Sequence, residues 1–135
     1  MSRQLFVNLP VRDLAKSTAF FKKLGFTFNE QFTDATAACL VISEHNFAML
    51  LTHEKFKQFI VNGIADAMTT TEVLVAISCV SREEVDKLTT TALSAGGSPH
   101  MPAQDHGFMY GTSFRDPDGH VWELFWMDPK AVQPQ

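Results

Sequence analysis

Positive charge is scarce in this sequence, and so are cysteines and long apolar runs. The 135 residues include 11 Lys and Arg against 15 Asp and Glu, which gives a formal net charge of −4. Without a basic excess or cluster we expect no nucleic-acid partner. No stretch approaches the roughly 20 apolar residues that span a bilayer, so we expect no membrane partner. The opening MSRQLFVNLP lacks the apolar core of a signal peptide, and we therefore expect a cytoplasmic protein.

The two cysteines, Cys39 and Cys79, each lie inside an apolar run and lack the close spacing of zinc sites or redox pairs. This pattern predicts two buried free thiols. A chain of 135 residues with 45% hydrophobic residues is long enough for one well-filled core and short for two independent ones. We therefore expect a single domain over residues 1–135.

The first half of the chain shows strand and helix signals in the order β-α-β-β-β. LFVNL predicts a strand that Pro10 ends, and Asp13 is a suitable N-cap for a helix over 14–24 that Gly25 stops. Three apolar or alternating runs follow, FTFNEQFT, TAACLVIS and NFAMLLT. They predict a three-stranded antiparallel meander.

The second half repeats this order. EVLVAISCV predicts a strand, and Ser81 with Glu84 predicts a capping box for a helix that Gly96 and Gly97 end. Three shorter strand candidates follow, SPHM, HGFMYGTSFR and HVWELFWM, and a DPDG turn joins the last two. The two modules cover roughly residues 1–52 and 71–128. Residues 53–70 join them and contain a candidate short helix, HEKFKQFIV.

This order predicts an α+β fold of paired β-α-β-β-β modules, in which a helix covers one face of each sheet. Two curved mixed sheets would then enclose a cleft between their uncovered faces. In EVLVAISC one set of alternate residues is uniformly apolar, while Leu74 and Ala76 belong to the mixed set that we place in the cleft. By the same alternation Phe6 and Asn8 face inward.

Glu123 is the unusual residue of the last predicted strand. It shares the inward face of the strand with Val121 and Phe125, so its carboxylate is the single charged group among apolar neighbours. Burying an unpaired charge costs several kcal/mol. Glu123 must therefore be exposed, protonated, hydrogen-bonded or bound to a cation.

Two motifs resemble those of one known family. VRDLAKSTAFFKKLGF resembles the opening, and FRDPDGHVWELFW the ending, of the vicinal oxygen chelate superfamily, which includes glyoxalase I, extradiol dioxygenases, and fosfomycin and bleomycin resistance proteins. The likeness covers nearly the whole chain and is closest to small bacterial proteins labelled predicted lactoylglutathione lyases. It implies paired modules around a cleft, a small-molecule ligand and a homodimer.

The resemblance also implies where a metal would bind. In the enzymes a divalent metal sits on one inward residue from each of four strands, and Glu123 matches the last of these positions. The other three positions fall on Phe6, near Leu50 and near Leu74, and these side chains cannot coordinate a metal. We therefore expect an incomplete metal site and no cofactor.

A shift of two residues gives an alternative set of ligands. Asn8, Thr52 and Glu72 would then join Glu123 in an oxygen-only site. Such a site suits Mg²⁺, Ca²⁺ or Mn²⁺ rather than Ni²⁺ or Zn²⁺. A divalent metal is the alternative to an empty site.

His106 and Tyr110 are further catalytic candidates beside Glu123, because they share a face of the predicted strand HGFMYGTSFR. A neutral His can exchange a proton near neutral pH, and a Tyr can donate to an oxyanion. The alternative is a His at a strand end and a half-buried structural Tyr. An apolar cleft with few polar groups is typical of small-molecule sites. The predicted ligand-lining residues are Phe6, Asn8, Leu50, Leu74, Phe108 and Phe125.

Three functions remain open. The favoured one is a small-molecule-binding protein of the glyoxalase and bleomycin-resistance type, which binds a ligand or carries out metal-free acid-base chemistry through Glu123. The second is a divalent-metal-dependent lyase, isomerase or dioxygenase, similar to lactoylglutathione lyase. The third is a structural or regulatory dimer whose cleft is filled by its own side chains.

Overall fold

The computed structural model describes residues 2–131, and the chain divides into two compact units, one up to Asp66 and one from Ala67. This division falls within the predicted joining segment. The first unit has the β-α-β-β-β order, the second has the same order with one additional short strand, and each unit has a mixed sheet, which confirms the α+β fold class. The single domain and the cleft stay predictions. Within residues 2–131, no helix has the length and apolar character needed to cross a membrane.

The first unit builds a four-stranded sheet in the order β1-β4-β3-β2. Strands β1 and β4 pair in parallel, whereas the meander β2-β3-β4 is antiparallel as predicted. Its elements are β1 (Leu5–Val11), α1 (Leu14–Lys23), β2 (Thr27–Asn29), a 3-10 turn (Glu30–Phe32), β3 (Ala37–Ser43), β4 (Asn46–Thr52) and α2 (His53–Lys57).

The ends of the predicted helix and strands in this unit have local causes. Asp13 caps α1 by accepting a hydrogen bond from the amide of Lys16 at 3.1 Å, and Gly25 follows the helix with a φ of +96°. The run FTFNEQFT forms a shorter strand than predicted. The side chain of Asn29 accepts from the amide of Gln31 at 3.0 Å, and this contact turns the chain into the 3-10 segment.

The second unit repeats the topology with the order β5-β9-β8-β6, and the short β7 also pairs with β8. Strands β5 and β9 are parallel, and the remaining pairs are antiparallel. Its elements are β5 (Leu74–Ser78), α3 (Arg82–Ser94), β6 (Ser98–Pro99), β7 (Gln104–Asp105), β8 (Met109–Arg115) and β9 (Val121–Met127).

Helix α3 begins at the predicted cap. The Ser81 hydroxyl accepts from the amide of Glu84 at 3.1 Å. The Glu84 carboxylate reaches one residue further back than in a standard capping box and accepts from the amide of Val80 at 2.9 Å. Gly96 follows the helix with a φ of +119°.

The DPDG turn between β8 and β9 is organised by the buried carboxylate of Asp116. One carboxylate oxygen accepts from the amides of Asp118 and His120 at 2.9 and 3.0 Å, and the other accepts from the indole N–H of Trp122 at 3.0 Å. Burial raises the pKa of Asp116. The turn is therefore held by a side chain, and Gly119 closes it with a φ of +93°.

Both cysteines are buried free thiols, as predicted. Burial, assisted by the nearby charge of Glu84, raises the pKa of Cys79 to about 11 from an ordinary value of 9.0. Because the thiolate is the reactive species, we expect alkylation of native Cys79 at pH 8 to be about 100-fold slower than that of an unhindered thiol. Timed labelling with iodoacetamide, read by mass spectrometry, checks this. Unfolded protein labels rapidly at both cysteines, and rapid labelling of native Cys79 would contradict the expectation.

Candidate functional site

Helix α3 covers only one face of the second sheet. It packs against β8 and β9, and its Arg82 guanidinium lies 5.1 Å from the Tyr110 ring and 5.2 Å from the Trp126 ring. The other face of β8 and β9 carries the side chains of odd-numbered residues. Glu123 belongs to this second face.

Strand pairing determines the neighbours of Glu123. Ser113 on β8 and Ala76 on β5 are its register partners on either side. One step along β9 on the same face, Phe125 pairs with Gly111. Paired residues on one face have Cβ atoms about 5 Å apart. Glu123 is therefore surrounded by small and apolar residues.

An open cavity of about 330 Å³ lies over this face. The volume falls in the lower part of the range of small-molecule sites. Its lining residues come from β5, β7, β8, β9 and the segment before β7: Ala76, Met101, Pro102, Gln104, Met109, Gly111, Thr112, Ser113, Glu123, Leu124 and Phe125. A mostly apolar lining with a few polar groups is typical of a ligand site.

The Glu123 carboxylate is partly exposed to this cavity. Among residues 2–131, no side chain or backbone group forms a hydrogen bond or ion pair with it. The sequence left four states open for Glu123: exposed, protonated, hydrogen-bonded or bound to a cation. The structure shows the first of these. The carboxylate is available to solvent, to a cation or to a hydrogen-bond donor of a ligand.

Gly111 keeps the floor of the cavity open. A Cβ atom at this position would lie 3.1 Å from the backbone oxygen of Leu124 and 3.3 Å from the Cβ of Phe125. Both distances are tighter than ordinary van der Waals contact. Because Gly111 has no side chain, the space beside Phe125 stays open.

Ser113 and His100 are polar residues of the site that the sequence analysis missed. The Ser113 hydroxyl lies 2.9 Å from Nδ1 of His100 and accepts a hydrogen bond from the amide of Met101 at 3.3 Å. These contacts attach the segment that supplies Met101 and Pro102 to β8. Alternation within β8 could have placed Ser113 on one face, but no local signal connects it to His100.

Tyr110 lies on the opposite face from Glu123, so the prediction that the two act together is wrong. The Tyr110 hydroxyl donates to the Asp86 carboxylate of α3 at 2.5 Å. This hydrogen bond raises the pKa of Tyr110. Its place in the sheet gives Tyr110 a structural contact with α3.

His106 and Phe108 lie in the turn between β7 and β8 rather than in a strand, which corrects their predicted positions. The amide of His106 donates to the carbonyl of Met109 at 2.8 Å, and Gly107 has a φ of +80°. Both side chains are exposed, and neither lines the cavity. The turn therefore removes His106 from the strand face on which its catalytic role depended.

An ion pair anchors this hairpin to α3. Arg82 donates to both carboxylate oxygens of Asp105 at 2.8 and 3.0 Å, and also to the carbonyl of Gly107 at 3.0 Å. The hydrogen bonds from Arg82 lower the pKa of Asp105 to about 2. Because Asp105 follows Gln104 in β7, this ion pair holds the strand that supplies one wall of the cavity.

In the first unit, Phe6 and Asn8 share the face that pairs with Phe47 and Met49 of β4. Phe6 is exposed and stacks on Phe47 at a centroid distance of 4.8 Å, and Asn8 is also exposed. Their predicted role in ligand binding stays a prediction.

Leu50 was assigned to the wrong face of β4. It pairs with Leu9, is fully buried, and therefore cannot line a site on the face of Asn8. Met49 occupies that face instead. Thr52 shares the face of Leu50, and its hydroxyl caps α2 by accepting from the amide of Lys55 at 3.2 Å, so Thr52 also leaves the alternative ligand set.

Leu74 is exposed and lies on the Glu123 face of β5, two residues before Ala76, although it does not line the cavity.

Glu72 does not act as a second ligand beside Glu123. Its carboxylate lies 2.6 Å from Nδ1 of the buried His120. Glu72 precedes β5, and the residue of β5 that pairs with Glu123 is Ala76. The Glu72 carboxylate is thus engaged by His120, and strand pairing does not place it beside Glu123.

Within residues 2–131, His, Cys, Asp and Glu side chains do not come together in groups of three or more that could hold a metal ion. At the positions that the family resemblance assigns to a metal, Phe6 and Leu74 offer no donor atom, and Leu50 is both apolar and buried. Glu123 alone supplies an oxygen. These residues do not fit the four-ligand metal site of the family's enzymes.

Repeated β-α-β-β-β units with mixed sheets, one of them bearing a cavity on its open face, define a glyoxalase-like fold. The model of the Glyoxalase/Bleomycin resistance protein/Dioxygenase superfamily matches residues 3–124. The chain belongs to this superfamily. Comparison with curated proteins gives no match.

Solved structures of similar fold come from several bacteria. A hypothetical protein from S. aureus is 27% identical, with a TM-score of 0.78 over 93% of this chain and 95% of that one. A glyoxalase/bleomycin resistance protein/dioxygenase family enzyme from Burkholderia phytofirmans is 20% identical, with a TM-score of 0.76 over 93% and 99%. The fosfomycin resistance protein FosX from Listeria monocytogenes is 19% identical, with a TM-score of 0.66 over 96% and 97%.

Proposed function

We propose that this protein binds a small molecule in the cavity beside Glu123, and that it does so without the metal site of the family's enzymes. The observation that carries the proposal is a carboxylate without a protein partner among residues 2–131, set in a cavity of about 330 Å³ with a largely apolar lining. Binding alone would make it a ligand-sequestering protein. The fosfomycin and bleomycin resistance names among its relatives are compatible with that role.

Metal-free acid-base chemistry is the catalytic form of the same proposal. The Glu123 carboxylate could accept a proton from an acidic C–H, N–H or O–H group of a bound ligand and return it to another atom. The proposal assigns this step to Glu123 without Tyr110 or His106, since the first faces α3 and the second lies in an exposed turn. Ser113 is the polar side chain paired with Glu123 across the sheet.

Lactoylglutathione lyase activity depends on a metal that polarises the substrate, and the donor set described above does not supply its ligands. A metal-dependent lyase or dioxygenase therefore ranks second. A structural or regulatory dimer ranks third, because the cavity beside Glu123 is open rather than filled by the protein's own side chains. A homodimer and a cytoplasmic location stay expectations from the family resemblance and from the sequence.

Elemental analysis of untagged protein, dialysed against mixed divalent ions, separates the first two functions. We expect no stoichiometric metal in the wild type and no difference in Glu123→Gln. Near-stoichiometric metal that disappears in Glu123→Gln would contradict the proposal and direct assays to metal-dependent chemistry. The exposed Glu83 on α3 gives a matched control, since Glu83→Gln removes the same charge on the helix side of the sheet.

A further inference from the structure

One end of the cavity, the polar end, holds Glu123, which is the single charged side chain among the lining residues; the neutral Gln104 and Thr112 lie further along β7 and β8. Glu123 and Ser113 lie opposite each other at the polar end. From there the cavity extends along β8 toward Met109 and along β9 toward Phe125. In the other direction Arg115 follows on the same face, but it does not line the cavity. A ligand in the cavity therefore has one end at Glu123 and its body along apolar side chains.

The polar end carries the carboxylate of Glu123, and no cationic side chain lines the cavity beside it. The Ser113 hydroxyl is already used by His100 and by the amide of Met101. Within the part of the chain that the structure describes, Glu123 and Arg115 form no ion pair. The residues that line the cavity include no Lys, Arg or His.

Low-polarity walls strengthen the effect of this charge. Met101, Pro102 and Phe125 place apolar atoms in the cavity walls on the side of the carboxylate, and Met109 continues the apolar lining further along β8. A charge beside such walls acts on a ligand through a lower effective dielectric than in bulk water. An anionic ligand is therefore repelled, and a cationic group that donates to the carboxylate is favoured over a neutral group of the same size.

We propose that the cavity binds a small organic cation, such as a protonated amine. The ammonium group donates to Glu123, and the apolar part lies along Gly111, Phe125 and Met109. This inference rests on the proposed function and specifies the class of ligand. The volume equals that of about eleven water molecules, which suits a ligand the size of one substituted ring.

Three probes that share a phenyl group on a short chain test the proposal: 2-phenylethylammonium, 2-phenylethanol and 3-phenylpropionate. Each is titrated at neutral pH and low salt into the intact protein carrying ¹³C-methyl methionine. Met101 and Met109 report on the cavity, and Met68, which lies beside Gly119, serves as the internal reference. We expect the ammonium probe to bind about tenfold more tightly than the alcohol, and the carboxylate to bind most weakly.

Glu123→Gln is expected to reduce the affinity for the ammonium probe to that for the alcohol, and added salt should weaken ammonium binding to the wild type. Glu83→Gln should leave all three affinities unchanged. The thermal melting of each variant is measured in parallel, so that a loss of binding is not confused with a loss of fold.

The outcomes separate the class of ligand from the site. If the alcohol or the carboxylate shifts Met101 and Met109 at least as strongly as the ammonium probe, or if Glu123→Gln keeps full ammonium affinity, the cationic class is wrong and the cavity remains a binding site. If no probe shifts these methyl signals at saturating millimolar concentration, both the cationic class and the proposed binding site are contradicted.

Discussion

Gly119→Ala is expected to destabilise the protein by about 2–4 kcal/mol. Gly119 closes the DPDG turn with a φ of +93°, a conformation that residues with a side chain rarely adopt. A Cβ atom there would lie 2.7 Å from Sδ of Met68 and 2.8 Å from the carbonyl oxygen of Ala67. The Met68 side chain can move aside, but the Ala67 backbone can do so only if the segment before β5 shifts.

Urea unfolding, followed by tryptophan fluorescence, measures this loss. The control is Gly63→Ala, because Gly63 has no atom within 4 Å of an added Cβ and no positive φ. We expect the control to stay within about 0.5 kcal/mol of the wild type. Equal stabilities of the two variants would mean that the backbone around Gly119 and Ala67 differs from the one described.

Asp116→Ala is expected to cost about 3–5 kcal/mol, because it removes the acceptor of several buried donors and each unsatisfied donor costs about 1–3 kcal/mol. The carboxylate accepts from the amides of Asp118 and His120 and from the indole of Trp122. Alanine would leave these donors without their acceptor. A change in urea stability below about 1 kcal/mol would contradict the central place of Asp116 in the turn.

The pH dependence of a second variant, Asp116→Asn, tests the raised pKa of this carboxyl group. Because burial raises the pKa in the folded state, the contribution to stability is present below about pH 4, the ordinary value for unfolded Asp, and is lost as the pH rises through the raised value. Asparagine does not ionise. We therefore expect the unfolding free energy of the wild type, minus that of Asp116→Asn, to be more positive at pH 4 than at pH 7. The opposite trend would contradict a raised pKa.

Element order and helix ends could be predicted because their causes are local. The caps at Asp13 and Ser81 and the left-handed glycines at Gly25 and Gly119 act within a few residues, and the structure confirms each of them. The strand predicted to begin at His106 was too long, and the cause is again a local contact. Its first residues form a turn stabilised by a hydrogen bond from the amide of Gly107 to the side chain of Asp105.

The faces of the strands were harder to predict, because a shift of one residue moves a side chain to the other side of the sheet. The strand face predicted for Leu50 was wrong by one residue, since Met49 is the residue that lies on the face of Asn8. Alternation grouped Tyr110 with His106 on one strand face, but His106 lies in the turn before β8. Which face of β8 carries Glu123 depends on the pairing of Ser113 with Glu123, which one strand alone does not reveal.

The polar contacts of the site depend on residues far apart in sequence. The Ser113 hydroxyl meets His100 across 13 positions, and the carboxylate of Glu72 meets His120 across 48. Neither contact follows from periodicity or from a local motif. Glu123 itself could be predicted because a single charge in an alternating apolar strand needs a physical reason, and the cavity supplies one.

Whether the cavity beside Glu123 is the binding site is tested most directly by a screen of fragment-sized compounds against ¹³C-methyl methionine protein. We expect the compounds that bind to shift the signals of Met101 and Met109 and to leave Met68 unchanged. Ala76→Leu, which adds bulk next to Glu123 at an exposed position, should abolish these shifts without loss of stability. Compounds that bind while the signals of Met101 and Met109 stay fixed, or that bind Ala76→Leu as well as the wild type, would place the binding site elsewhere.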